Sequence, residues 1–280
     1  MASKIWNIFC ETNRIIVAQP GHYLTLSFIF LLPPSFVSLL LNILIKYIQQ
    51  ATYPILTISL VSILFLLISY IFTYCAVISI TSSVYPSFLN QPIKLKQAFK
   101  SISTSFFPLL ATDIIVYAIY FVAFLIFALV IGAVSFVIAY LTGVDLQAHY
   151  FFVVVPFVLA CILFFMFLGV QLSLVKVIVV VESLWGLEPL RRSWKLVEGM
   201  LLVIIPIFTL FGLSNLVLAS LAGDSWILIL VFTPIVALLT LYNIAVLAVL
   251  YVYCKDKNEK LADQVFATEK DEARLPLISS

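Results

Sequence analysis

The residue in this sequence best placed to do chemistry is an aspartate in the middle of an apolar run. Asp113 follows Leu109-Leu110-Ala111-Thr112 and precedes Ile114-Ile115-Val116. A carboxylate in hydrocarbon is costly unless it is paired, hydrated or protonated, so it marks either a structural ion pair or a proton or cation site. Gln171 and Lys176 lie near the end of a later apolar run. Counted from Pro108 at about 1.5 Å per residue, Asp113 sits roughly 8 Å below the membrane surface, and Gln171 returns to a similar depth. Lys176, slightly shallower, can extend its aliphatic stem to bring its amine to the surface. A clasp of Asp113 with Lys176 or Gln171 is the favoured expectation, because an acid this shallow also reaches headgroup water. A proton or cation site is the sharper alternative.

The rest of the chain offers little catalytic chemistry. His22 and His149 fall on opposite sides of the topology argued below, so they cannot share a metal, and each reads as an interfacial histidine. There is no H-E-x-x-H pair, no glycine-rich phosphate loop and no paired-cysteine metal spacing. One intramembrane aspartate cannot make the carboxylate pair of an aspartyl protease. The expectation is therefore no catalytic residue, no metal and no cofactor. Asn42, Asn215 and Asn243 could line a pore, or bond between packed helices. Of the four cysteines, Cys10 and Cys254 read as cytosolic and juxtamembrane, where a free thiol is favoured over an acylated one; Cys75 and Cys161 lie in apolar runs.

These residues need membrane helices to position them. Hydrophobic residues make up 64% and charged residues 10% of the 280, against about 45–50% and about 25% in soluble domains. Six apolar runs are long enough to span, at about 23–47, 54–82, 108–141, 150–177, 200–221 and 226–253. Pro33-Pro34 should kink or break the first. Residues 1–22 read as an N-terminal amphipathic segment without a signal-peptide core, 83–107 as a lysine-bearing loop, and 255–280 as a flexible charged tail. The tail ends near Glu272-Ala-Arg-Leu-Pro-Leu-Ile, one residue too long for an acidic dileucine sorting signal. With six spans, 14 of the 15 Lys and Arg fall on one side and Lys46 alone on the other. The positive-inside rule then puts both termini in the cytosol.

The densest charge between apolar runs is at Glu182–Gly199. Leu187, Leu190, Trp194 and Val197 recur at helical spacing, with Glu188, Arg191, Arg192, Lys195 and Glu198 around the rest. Pro189 suits a first turn and Gly199 an end. The pattern predicts a short helix on the membrane surface, its apolar stripe buried and Arg191, Arg192 and Lys195 near anionic lipid headgroups. Similar stripes at 4–16 and 92–104 precede the first and second pairs of spans. Ala98-Phe99-Lys100 and Ser193-Trp194-Lys195 share a step, so the fold expected is an all-α six-span bundle that could repeat a surface helix plus two spans three times.

Around Glu182, Leu190, Arg191, Ser193, Trp194, Leu196 and Gly199 the chain resembles the membrane-domain segment of glycerophosphodiester phosphodiesterases. In that family catalysis belongs to a separate soluble barrel, so the resemblance carries over no catalytic residue. With its V-A-Q-P-G-H-Y start at Val17–Tyr23, the whole chain is similar to a plant group of uncharacterised six-span membrane proteins.

Two functions are compatible with this sequence. One is a non-catalytic membrane scaffold whose cytosolic surface helices engage lipid headgroups or protein partners, without nucleic acid. The other is a small-solute or ion transporter or channel. The apolar middle of each span favours the first.

Overall fold

The computed structural model describes the backbone of residues 2–50, 55–89, 91, 95–142, 146–222 and 225–272, and the side chains of 3–41, 59–89, 91, 95–134, 137, 158–221, 225 and 227–258. The side chains of Asn42, Lys46, His149 and Pro156, together with Lys94 and the end of the tail from 273, lie outside the described residues.

The described residues are almost all helical, with no strand among them. Among the described residues, six stretches are long and apolar enough to cross a membrane: Pro20–Leu41, Ser59–Phe88, Leu95–Val134, Val158–Glu182, Leu201–Leu221 and Ile227–Asn258. The protein is thus an all-α, multi-pass membrane protein.

Helix α1 (Ala2–Ala18) carries the amphipathic pattern of the N-terminus. Ile8, Thr12 and Ile15, spaced along one face, are buried, while Trp6 is exposed. Helix α2 (Pro20–Leu26) begins at once with proline in its first turn. The proline pair does not break the first span. Instead, residues Ser27–Leu31 form a π turn, in which the N–H of Leu32 reaches Ser27 O, before α3 (Leu32–Gln50) continues. Pro33 and Pro34 lack the N–H groups that an α-helix would require there, and widening the preceding turn absorbs that deficit.

Helix α4 (Ile55–Phe88) has 34 residues and α5 (Leu95–Thr142) has 48. They correct the expected 83–107 loop, because both helices run into it from either side. The second surface segment is therefore not a separate element: Leu95 opens a helix that passes through Pro108 into the membrane. Ser and Thr side chains ease these long helices by bonding back to their own backbone. Thr112 Oγ1, for example, donates to Pro108 O at 2.8 Å.

The fourth hydrophobic segment is interrupted. Helix α6 (Leu146–Gln171) ends, residues 172–174 turn, and α7 (Val175–Glu182) follows. Ser183 in the left-handed region and Gly186 at φ 83° reverse the chain into α8 (Glu188–Glu198). Helix α9 (Leu201–Ala222) and α10 (Trp226–Glu272) complete the fold. Helix α10 continues to Glu272, where composition suggests a flexible tail. Ala, Lys, Glu, Asp and Gln follow one another there, and the alternating charges support helix.

The core gathers at one end. The last turns of α4, the break between α6 and α7, and the middle of α10 bury Ile78, Ile80, Leu174, Ile178, Val249 and Leu250 completely. The charged segments lie at this same end. Tyr251 bonds to Glu182, Lys257 reaches Gly199 O, and Ser82 meets Ser101 at 2.9 Å. Away from it, α5 and α6 expose large apolar side chains such as Phe121, Leu129, Ile162 and Leu163.

Candidate functional site

The interrupted fourth segment places its polar residues where two continuous helices can meet them. Asp113, on α5, is 2% exposed. Its Oδ2 lies 3.2 Å from Nζ of Lys176, in the first turn of α7. The Lys176 ammonium also sits 5.6 Å from the centre of the Tyr74 ring, on its electron-rich face. Nearby, the hydroxyls of Tyr70 and Tyr117 meet at 2.7 Å. The structure therefore brings Asp113 and Lys176 together, with Tyr74 as a third member that a tyrosine in a 34-residue apolar helix gave little reason to single out.

Gln171 takes a different part. Among the described residues its buried side-chain oxygen has no partner, and its main-chain carbonyl accepts a hydrogen bond from Ser193 Oγ at 2.7 Å. That carbonyl belongs to the last residue of α6, where the intrahelical partner is lost. Ser193, on α8, supplies the missing donor. Gly186 N–H donates to Thr112 Oγ1 at 3.2 Å, tying the reversal before α8 to the residue preceding Asp113.

Helix α8 packs differently from its sequence pattern. Leu190 and Val197 are buried as expected, but Leu187 is 67% exposed and Trp194 43%. The buried face is made by Pro189, Leu190, Ser193, Leu196 and Val197. The helix starts after Leu187, and the Ser193 bond draws the contact face away from Trp194. At about 100° per residue, three sectors follow around the helix. One faces the protein. Beside it is an apolar edge of Leu187 and Trp194, with Trp194 edge-on to Phe167 at 6.1 Å. Beyond that lie Arg191 and Lys195, both exposed. Arg192 joins Glu188, Arg191 and Lys195 around a recess of about 290 Å³, and its Nε lies 2.9 Å from Glu182 Oε2. Glu182 thus receives both Arg192 and Tyr251. The second contact does not follow from spacing, since Tyr251 lies 69 residues away along the chain.

His22 Nε2 lies 3.0 Å from Ser83 Oγ, a bond between α2 and α4. All four cysteines are free; Cys254 is buried and so closed to acylation, while Cys10 is exposed. Among the described residues, no three His, Cys, Asp or Glu side chains gather as metal ligands.

Compared with known proteins, the chain matches no family model, no curated protein and no solved structure.

Proposed function

We propose that the protein is a non-catalytic membrane scaffold that engages anionic lipid headgroups, and through them protein partners, at its cytosolic face, with both termini in the cytosol. One observation carries this: α8 leaves Leu187 and Trp194 exposed beside Arg191 and Lys195, while its opposite face is locked to the protein. An indole and a leucine next to two unburied cations suit the boundary between acyl chains and phosphates. Each cation near such a surface contributes about 1 kcal/mol.

Full-length protein in detergent, presented with phosphatidylserine and phosphatidylcholine, provides the test by native mass spectrometry. The double variant Arg191→Gln, Lys195→Gln should lose about 2 kcal/mol of serine-lipid binding, roughly thirtyfold, with choline-lipid binding unchanged. Equal retention of both lipids by wild type rejects the proposal. The orientation is checked separately. In a background with the other cysteines replaced, Cys10 and an introduced Leu146→Cys should label from opposite sides of sealed vesicles.

A second function, small-solute or ion transport, is favoured by the interruption of the fourth hydrophobic segment next to the Asp113–Lys176 pair. Non-helical backbone at membrane depth occurs where protein or a cavity surrounds it. Flux into liposomes that is abolished by Asp113→Asn in a folded protein would favour transport over the scaffold.

A further inference from the structure

A partly open cavity of about 410 Å³ lies between α4, the turn between α6 and α7, the start of α7, α9 and α10. Its polar lining comes from Thr73, Ser173, Lys176, Asn215, Thr240 and Asn243. The sequence scatters these six over 171 positions, and five of them sit in or beside stretches that read as uniformly apolar.

The hydrogen-bonding state of the lining restricts what can bind. Thr73, Ser173 and Thr240 each donate their hydroxyl proton to a backbone carbonyl of their own helix or turn, at 2.7, 2.8 and 2.8 Å. Asn215 does the same with an amide proton, to Phe211 O at 2.9 Å. What these four can offer a ligand is chiefly acceptor oxygens. Among the described residues the Asn243 amide has no hydrogen-bond partner, so it offers both donor and acceptor. Among the described lining residues Lys176 alone is charged, and it is already matched by Asp113 at 3.2 Å. A ligand carboxylate or phosphate here would make two anions share one cation in low dielectric, an arrangement that costs more than it returns. The remaining wall is apolar, including Ile207, Phe211 and Leu247.

We propose that this cavity binds an uncharged, hydroxyl-bearing amphiphile of the monoacylglycerol class, its hydroxyls on the Thr73, Ser173, Thr240 and Asn243 groups and its chain along the apolar wall. A hydroxyl-rich headgroup fits an acceptor-rich lining, because each hydroxyl brings the proton that the wall lacks. The site is distinct from α8 and does not depend on the surface role given to that helix.

Gly212 makes the test clean. It lines the cavity, and a Cβ built on it meets no heavy atom within 4 Å. Gly212→Leu therefore adds bulk at the cavity wall from a position whose Cβ is unobstructed, and it replaces a poor helix former with a good one. Purified full-length protein should be titrated with a photoreactive monooleoylglycerol, with unlabelled monooleoylglycerol and oleate as competitors. Saturable labelling is expected, displaced by monooleoylglycerol at least tenfold more effectively than by oleate. Gly212→Leu should reduce labelling at least tenfold at unchanged thermal stability. Thr240→Val, which keeps the shape and removes one acceptor, should weaken binding severalfold. The proposal is overturned if labelling does not saturate, if oleate competes as well as the neutral lipid, or if folded Gly212→Leu binds like wild type. Should Gly212→Leu not fold, wild-type affinity in Thr240→Val overturns it instead.

Discussion

Asp113 and Lys176 exist as a pair or not at all. The carboxylate is buried, and its compensation comes from the Lys176 ammonium 3.2 Å away. Removing the cation alone leaves an uncompensated charge, which in buried pairs costs about 3–5 kcal/mol. Lys176 is partly exposed, so the lower end applies. Lys176→Met should lower the thermal midpoint of the purified protein by several degrees. The double change Asp113→Leu, Lys176→Met should recover most of that loss, because removing both charges removes the desolvation penalty too. A double variant no more stable than Lys176→Met would show that the two charges are not coupled. This pair was legible in advance: one acid and one base at matched depth in an otherwise apolar sequence have few other partners. Tyr74 was not, because a tyrosine's role depends on which way its helix is turned.

Helix α8 shows why pattern and packing diverge. Its apolar residues predict a stripe through Leu187, Leu190, Trp194 and Val197, yet the contact face runs through Leu190, Ser193 and Val197. Periodicity treats serine as polar and therefore outward. It cannot register that a broken helix elsewhere leaves a carbonyl in need of a donor. The break itself is invisible in sequence, since Gln171-Leu172-Ser173-Leu174 contains neither proline nor glycine. The long helices misled in the opposite direction. Lysines at 96 and 100 look like a loop when a bilayer-length window is imposed, although nothing in Leu95–Phe107 opposes helix. Ser193→Ala should therefore be costly for so small a change. It strands a buried carbonyl, at about 1–3 kcal/mol. Thermal unfolding of the full protein measures this, and Ser193→Thr, which keeps the hydroxyl, should lose less. Equal losses in the two variants would assign the effect to packing rather than to the hydrogen bond.

The six spans and the charge asymmetry follow from composition, but the division of labour along the bundle does not. Burial concentrates at the charged end, where α1, α4, α7, α8 and α10 meet, while the described parts of α5 and α6 expose many of their apolar side chains. In water such surfaces would demand a partner; in a bilayer, acyl chains are as apolar as leucine and cover them at no cost. The two ends should therefore respond oppositely to the same substitution. Ile178 is 0% exposed and Leu129 is 72% exposed. Ile178→Ala opens a cavity in a packed core and should cost about 2–5 kcal/mol. Leu129→Ala exchanges one lipid-facing apolar group for a smaller one and should leave the unfolding midpoint nearly unchanged. Leu129→Lys puts a charge against hydrocarbon, at about 2.5–3.5 kcal/mol on the insertion scale, and should reduce the membrane-integrated fraction without altering the core. The particle mass of Leu129→Ala in detergent distinguishes lipid from protein as the cover. Wild-type mass with wild-type stability fits lipid, whereas a drop in mass would mean that a second copy packs on α5.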